Sequence, residues 1–107
     1  MWAEQLKGHL DALLLGVLEP GPLHGYAIIE TLRAKSDGAF DLPSGTVYPA
    51  LRRLELAGLL DGAWSEVSGR RRRTYRLNRK GRAALASERA TWRGFAQAVG
   101  SVLGQPA

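Results

Sequence analysis

Apolar residues recur every three or four positions along four stretches of the chain, which is the spacing of one face of an α-helix. The stretches are residues 1–19, 23–35, 45–58 and 78–103. Proline and glycine in residues 19–22 and 36–43 separate the first three, because both disfavour a continuing helix. The pattern predicts four helices, with Gly38 ending the second one in a left-handed conformation.

Residues 60–77 lie between the third and fourth helices and follow a two-residue alternation instead. The pair Ser68-Gly69 stands in the middle of this stretch, and aromatic and β-branched residues flank it, so a β-hairpin is predicted. On its second strand, the alternation places Tyr75 and Leu77 on one face. It places Arg72, Thr74 and Arg76 on the other.

The third helix carries polar side chains on the side away from its apolar stripe. Ser44 is predicted as its N-cap, and Pro49 is expected in the first turn, where amide hydrogens lack helical partners. Hydroxyls and free amides at a helix start suit base edges and phosphates in a major groove. The predicted DNA contacts of this helix are Ser44, Gly45, Thr46, Tyr48, Pro49, Arg52 and Arg53.

Positive charge is concentrated in one part of the chain. Eight of the 15 basic residues and none of the 10 acidic residues fall within residues 70–82, while the net charge of the whole chain is +5. Such a block on a mildly acidic body indicates a polyanionic partner, usually nucleic acid. The hairpin residues predicted to contact DNA are Arg70, Arg71, Arg72, Arg73 and Arg76; the alternative is a solvated basic loop beside a solvated helix face.

Other chemistry has little support in the sequence. There is no cysteine, and His9 and His24 fall on different predicted helices without ligand-like spacing. Neither a phosphate-binding loop nor a nucleophile elbow is present. We therefore predict no catalytic residues, no metal, no cofactor and no enzyme. The apolar run at residues 12–18 is too short to span a membrane, and a soluble cytoplasmic protein is expected.

The last predicted helix is long and has a wide apolar stripe, with little of a small domain left to cover it. Pairing with a second copy is the economical solution, and the alternative is that the helix folds back on the first one as ordinary core. The residues predicted for the dimer contact are Leu6, Leu10, Leu85, Trp92, Phe95, Val99, Val102 and Leu103.

Three stretches together resemble the PadR family of winged helix-turn-helix transcriptional regulators. They are "LLLGVLEPGPLHGYAIIETL", "GTVYPALRRLELAGLL" and "RRRRTYRLNRKGRAAL". The resemblance implies a homodimeric DNA-binding repressor, of the short subtype with one helix after the wing. It also implies that a tryptophan of that helix lines a cavity for a flat aromatic effector. Trp92, with Trp2, is the candidate, although packing in the core or the dimer is the alternative.

The predicted fold is mainly α: a winged helix-turn-helix of three helices and a two-stranded β wing, followed by a C-terminal dimerisation helix. Residues 1–79 would bind DNA and residues 80–107 would dimerise, within one compact domain. The predicted function is sequence-specific regulation of transcription from an inverted-repeat operator, with double-stranded DNA, a second copy and an aromatic effector as partners. The alternatives are a sequence-neutral architectural DNA binder and a winged-helix protein-interaction module.

Overall fold

The computed structural model describes Leu6 and residues 8–104. Within this part of the chain there are four helices and three strands. The helices are α1 (Leu10–Val17), α2 (Gly25–Lys35), α3 (Ser44–Leu56) and α4 (Arg79–Leu103). The strands are β1 (Leu23–His24), β2 (Leu60–Val67) and β3 (Arg70–Leu77). The predicted winged-helix architecture is confirmed, with one strand more than expected.

The sheet is antiparallel and has the order β1-β3-β2. Strands β2 and β3 form the predicted hairpin, with Leu60 opposite Leu77 at its base and Val67 opposite Arg70 at its tip. Ser68 and Gly69 both have positive φ, 52° and 76°, as a two-residue hairpin turn of type I′ requires. The hairpin is the wing of the fold.

Strand β1 was missed in the sequence, where residues 23 and 24 were assigned to the second helix. Leu23 pairs with Tyr75 and His24 with Thr74. The wing is therefore joined to the body by a third strand at its base. Two residues are too few to show an alternating pattern, so the sequence contains no periodic signal for this strand.

The core lies between α1, α2, α3 and the base of the wing. Its fully buried side chains are large aliphatic residues, among them Leu14, Ile28, Val47, Leu51 and Leu60. Leu85, in the second turn of α4, also belongs to this cluster. The core thus continues past residue 79, the position at which the sequence-based prediction divided the chain. The residues on both sides of that position belong to one packed unit.

The first predicted helix is not continuous. Gly8 has a φ of +85°, and α1 starts at Leu10, so the prediction of one helix across residues 1–19 is wrong. A left-handed glycine ends regular helical geometry, although the apolar spacing runs through it.

The second helix ends in a Schellman motif. The amide of Gly38 donates to the carbonyl of Arg33 at 2.8 Å, and the amide of Asp37 donates to Ala34 at 3.2 Å. Both Asp37 and Gly38 have positive φ. Gly38 is left-handed as predicted, but it is Asp37 that occupies the first position after the cap.

The start of α3 differs from the prediction by one residue. Pro43 takes the N-cap position, and its carbonyl accepts from the amides of Thr46 and Val47 at 3.0 and 3.2 Å. Ser44 is therefore the first helical residue and not the N-cap. Pro49 lies in the second turn instead of the first, so the helix forgoes the hydrogen bond that residue 49 would donate to Gly45.

The fourth helix is capped and held close to the end of α3. The Asn78 side chain accepts from the amide of Gly81 at 2.8 Å and donates to the carbonyl of Gly58 at 2.9 Å. A Cβ on Gly81 would lie 2.1 Å from the carbonyl oxygen of Leu59. Glycine is required there because the two backbones approach so closely.

The rest of α4 leaves the body of the domain. A helix of 25 residues is about 37 Å long, and the molecule measures 52 × 28 × 22 Å. Its radius of gyration is 15.0 Å, where about 13 Å is usual for a compact chain of this size. The helix therefore projects from the core instead of lying across it.

Candidate nucleic-acid interface

The N-terminal part of α3 is an open helix end. Ser44, Gly45, Thr46, Tyr48 and Pro49 are exposed, while Val47 and Leu51 are buried and hold the helix to the core. No side chain caps this end, and the carbonyl of Pro43 accepts from the amides of Thr46 and Val47, so the amides before them have no partner within the helix. Small hydroxyls and backbone donors are thus presented together, as a groove-binding helix requires.

The ring of Tyr48 lies against the start of α2. A Cβ built on Gly25 would lie 2.0 Å from Cε1 of Tyr48, which shows how closely the ring approaches the backbone. The side chain is nevertheless 43% exposed. Gly25 thereby fixes the position of an aromatic ring whose hydroxyl remains accessible to a phosphate.

The two arginines of α3 have acidic neighbours. Arg53 makes two hydrogen bonds of 2.8 Å to the carboxylate of Asp11 in α1, and these raise the pKa of Arg53. Arg52 lies 3.7 Å from Glu55. Both arginines are more than half exposed, but Arg53 would have to leave Asp11 in order to bind a phosphate.

The arginines of the wing fall into two groups. Arg70 and Arg71, next to the turn, are exposed and make no ion pair within the described residues. The other three have partners: Arg72 contacts Nε2 of His24 at 2.7 Å, Arg73 pairs with Glu55, and Arg76 lies 3.6 Å from Asp61.

Burial follows this division only in part, because Arg72 and Arg73 are half-buried. These two are therefore the least accessible of the wing arginines that the sequence places among the DNA contacts. Arg76 is exposed on the predicted face. The free positive charge of the wing is smaller than its arginine count suggests.

Five residues at this surface had no role in the sequence-based prediction. Trp64 is 58% exposed, and the guanidinium carbons of Arg71 and Arg73 lie 4.7 and 5.4 Å from its ring centroid. The other four are the ion-pair and hydrogen-bond partners Asp11, His24, Glu55 and Asp61. Each contacts an arginine at least 15 positions away in sequence, so helical spacing could not have identified that contact.

The projecting part of α4 carries an uncovered apolar face. Trp92 and Phe95 are more than half exposed, Val102 is 84% exposed and Leu103 is 78% exposed. Val99 is half-buried among them. Trp92 also meets the ring of His9, with ring centroids 5.6 Å apart in an edge-on arrangement.

The remaining residues predicted for the dimer contact lie elsewhere. Leu85 is 5% exposed and belongs to the core of this chain, so it is not accessible to a second copy. Leu6 and Leu10 are half-buried, and Leu10 packs against the core. Trp2 lies outside the described residues.

The described residues contain no group of three or more side chains that could bind a metal ion. Nor does any helix in that part of the chain have both the length and the apolarity to cross a membrane.

Two relatives illustrate what the chain is similar to. It is 42% identical over 67 residues to the transcriptional regulator Rv3488 of Mycobacterium tuberculosis, which is 63% of this chain and 60% of that protein. It is 31% identical to a PadR family transcriptional regulator of Eggerthella lenta, with a TM-score of 0.81 over 99% of this chain and 91% of that one.

A second structure, solved with DNA, shows the same fold. Bacillus subtilis PadR, solved in complex with operator DNA, has a TM-score of 0.66 and 23% identity, over 73% of this chain and 45% of that one. Residues 14–87 match the transcriptional regulator PadR-like family. These are regulators and not enzymes, which confirms that prediction at the level of the family. Because the match covers more than half of the chain, from the second half of α1 through α2, α3 and the wing to the start of α4, the chain belongs to the PadR-like family of transcriptional regulators.

Proposed function

We propose that the chain is a homodimeric repressor that binds an inverted-repeat operator in double-stranded DNA, in the cytoplasm. The observation that carries the proposal is the combination of an exposed start of α3, which no side chain caps, with a wing whose tip presents Arg70 and Arg71 without an acidic partner among the described residues. The operator complex of Bacillus subtilis PadR, which shares the fold, supports the same type of partner.

The proposal divides the contacts between two elements. Ser44, Thr46 and Tyr48 would meet base edges and adjacent phosphates in the major groove, and would set the sequence preference. Arg70, Arg71 and the exposed Arg76 would neutralise phosphates beside that groove, and would supply affinity for any sequence. Arg52 would reach the backbone, while Arg53 would have to exchange Asp11 for a phosphate.

Selection from a random duplex library followed by fluorescence anisotropy tests the proposal. The enriched sequence should be an inverted repeat with half-sites about one helical turn apart, as two-fold symmetry demands. Affinity for it should fall about tenfold or more between 50 and 200 mM salt. No enrichment would indicate a sequence-neutral binder, and an affinity independent of salt would indicate a protein partner; either result contradicts the proposal.

Two variants separate the roles of the helix and the wing. Replacing Arg70 and Arg71 with alanine should weaken operator and random DNA alike and reduce the salt slope by about one for each phosphate that is no longer neutralised. Thr46→Ala should weaken the operator by about 1–3 kcal/mol and leave random DNA nearly unchanged. Equal behaviour of the two variants on both DNAs would refute this division.

The apolar face of α4 supports the dimer. Trp92, Phe95, Val99, Val102 and Leu103 give one helix an uncovered stripe beyond the body of the domain, and large exposed apolar patches mark association sites. A copy related by two-fold symmetry would cover the stripe with the same residues. It would also place two α3 helices in position for two half-sites.

Release by a flat aromatic effector would involve Trp92. The indole is 52% exposed and has the rings of His9 and Phe95 at 5.6 and 6.1 Å, so it lies in an aromatic cluster that suits stacking. Fluorescence quenching by aromatic compounds, measured in a variant with Trp2→Phe and Trp64→Phe so that Trp92 is the remaining tryptophan, should report binding there. Quenching that leaves operator affinity unchanged would argue against an effector.

A further inference from the structure

We propose that Glu55 and Arg73 are positioning residues, whose ion pair fixes the wing relative to α3 while neither side chain contacts DNA. The inference rests on the proposed DNA-binding function. It reassigns Arg73, which the sequence places among the DNA contacts, and gives a role to Glu55, which otherwise has none. Four features of the structure support it.

The pair joins the two elements that would bind DNA. Glu55 lies in the last turn of α3 and Arg73 in the middle of β3. Arg73 donates through Nε at 3.3 Å and through Nη2 to the two carboxylate oxygens. Only 23% of the Arg73 side chain and 16% of the Glu55 side chain are exposed. A bidentate ion pair with this little exposure fixes the orientation of β3 relative to α3 as well as the distance between them.

The backbone of β2 leaves space for the pair. A Cβ on Gly62 would lie 2.8 Å from both Nη2 of Arg73 and Oε2 of Glu55, and 2.9 Å from Nε of Arg73. A Cβ at position 62 would require at least one of the two groups to shift from its present place. The glycine is thus explained by the ion pair and not by its own backbone conformation.

Aromatic rings limit the movement of the guanidinium group. Its carbon lies 5.4 Å from the ring centroid of Trp64 and 5.9 Å from that of Tyr75. The Tyr75 ring is buried in the core. Arg73 is therefore bounded by the core, by β2 and by Glu55, and it would have to lose its carboxylate partner to reach a phosphate.

The pair extends the anchor of the wing. A two-stranded hairpin by itself is only marginally stable, and β1 holds β3 at Thr74 and Tyr75. Arg73 is the next residue toward the tip. The ion pair with Glu55 thus fixes one more position of β3, and fixes it to α3, so that the helix and the wing keep one relative orientation.

Arg71 provides the matched control. It lies on the same strand two residues nearer the tip, so it projects from the same face. It also lies over Trp64, at 4.7 Å. It is exposed and makes no ion pair within the described residues. The two arginines differ chiefly in whether a carboxylate holds them.

The test measures affinity for the selected operator and for random duplex DNA, each against salt, in full-length variants. Glu55→Gln removes a negative charge near the DNA, so a direct contact by the released Arg73 would strengthen binding. Positioning predicts the opposite: operator affinity falls about tenfold, random DNA is unaffected, and the salt slope is unchanged. Arg73→Gln should match it, whereas Arg71→Gln should weaken both DNAs and lower the slope by about one per subunit.

The exchanged variant, Glu55→Arg with Arg73→Glu, gives the decisive readout. Restoration of operator affinity to within about threefold of the wild type, through the coupling of the exchanged pair, supports positioning. The proposal is overturned if the exchanged variant binds more weakly than either single variant, because a carboxylate at position 73 then faces DNA. Tighter operator binding by Glu55→Gln also overturns it.

Folding and the underlying function are checked separately. Each variant is compared with the wild type by circular dichroism. If Glu55→Gln fails to fold, Arg73→Lys replaces it, because it keeps the charge but loses the bidentate geometry. Operator affinity that falls at constant salt slope again supports positioning, and unchanged affinity overturns it. A wild-type protein that does not distinguish operator from random DNA would instead contradict the proposed function.

Discussion

Tyr48 depends on a glycine 23 positions earlier for its place at the candidate interface. Its ring occupies the space that a side chain at Gly25 would need, because α2 begins there with its backbone against the ring. Gly25 therefore has a physical explanation: it makes room for an aromatic residue of another helix. The same residue begins α2, so one position serves both helices.

Gly25→Ala should displace the Tyr48 ring. Overpacking of this kind costs about 1–3 kcal/mol of unfolding free energy, and operator affinity should fall as well because the hydroxyl moves. Urea unfolding and anisotropy measure the two effects. Gly94→Ala is the control, since nothing lies within 4 Å of a Cβ there and alanine should stabilise an exposed helix by up to about 1 kcal/mol. Equal stability of the two variants would contradict the contact.

The interface arginines show what a sequence can and cannot predict about side chains. The density of arginine in residues 70–73 correctly indicates a basic hairpin. Which of those arginines are free depends on His24 and Glu55, which the fold brings to the wing from other elements. Charge patterning along a chain contains no information on such distant partners, so the sequence could not separate Arg71 from Arg73.

At the scale of elements, the side chain of Asn78 links the start of α4 to the end of α3. Asn78 caps α4 through Gly81 and also donates to the carbonyl of Gly58, which ends α3. Lys80 adds a hydrogen bond to the carbonyl of Ala57 at 3.2 Å. The direction in which α4 leaves the domain is thus tied to the end of α3.

Asn78→Ala should lower the free energy of unfolding by about 1–2 kcal/mol, because an N-cap acceptor is removed. Asn78→Ser is the control: it keeps an oxygen that can accept from Gly81 but has no amide to reach Gly58, so it should recover most of that stability. Chemical denaturation checks both variants. If serine is as destabilising as alanine, the amide contact and not the cap is the important interaction.

A second link between elements depends on pH. Arg89 in α4 forms hydrogen bonds of 2.9 and 3.3 Å to Glu19 after α1, and these lower the pKa of Glu19. A carboxyl whose pKa is lower in the folded state adds stability above its unfolded pKa, and that stability is lost as pH falls through the folded pKa.

Arg89→Met should therefore be less stable than the wild type at neutral pH, and the two should converge as the pH falls through the folded-state pKa of Glu19. Urea denaturation across acidic pH measures the difference. An NMR titration of Glu19 should show its pKa returning toward the usual value in the variant. A stability difference that does not depend on pH would exclude this ion pair as its cause.

The helices show how much of the secondary structure apolar periodicity can predict. Four were predicted and four are found in the described residues, because three- and four-residue spacing reports a buried face directly. The predicted boundaries were less accurate. Gly8 interrupts the first predicted helix within the apolar pattern. The third helix begins at Ser44, with Pro43 and not Ser44 as its N-cap. Strand β1 depends on pairing with Tyr75, 52 positions from Leu23, and nothing local predicts it.

At the scale of the whole molecule, the core and the projecting helix are separate regions of α4. Leu85 is buried with α1, whereas Val102 is almost fully exposed. The long apolar stripe seen in the sequence therefore has two roles along its length, core at the beginning and open surface toward the end. Periodicity could not divide them, because both regions continue the same helical face.

Val102→Asp should dissociate the proposed dimer without unfolding the chain, since this side chain is 84% exposed and so makes little contact within its own domain. Light scattering should then report a mass near 11.6 kDa, in place of twice that value. Ser101→Asp, on another side of the helix, is the control and should remain dimeric. A dimeric Val102→Asp protein, or a monomeric wild type, would contradict the interface.

The three-stranded base of the wing has a consequence for backbone hydrogen exchange. The residues of β3 that pair with β1 lie between two strands, whereas Val67 and Arg70 have one neighbour and a turn beside them. Amides near Tyr75 and Leu77 should exchange only with opening of the core, and amides at the tip should exchange through local fraying. The tip of the wing would then be mobile, while its base would open only when the whole domain unfolds. DNA binding should therefore slow hydrogen exchange chiefly at the tip.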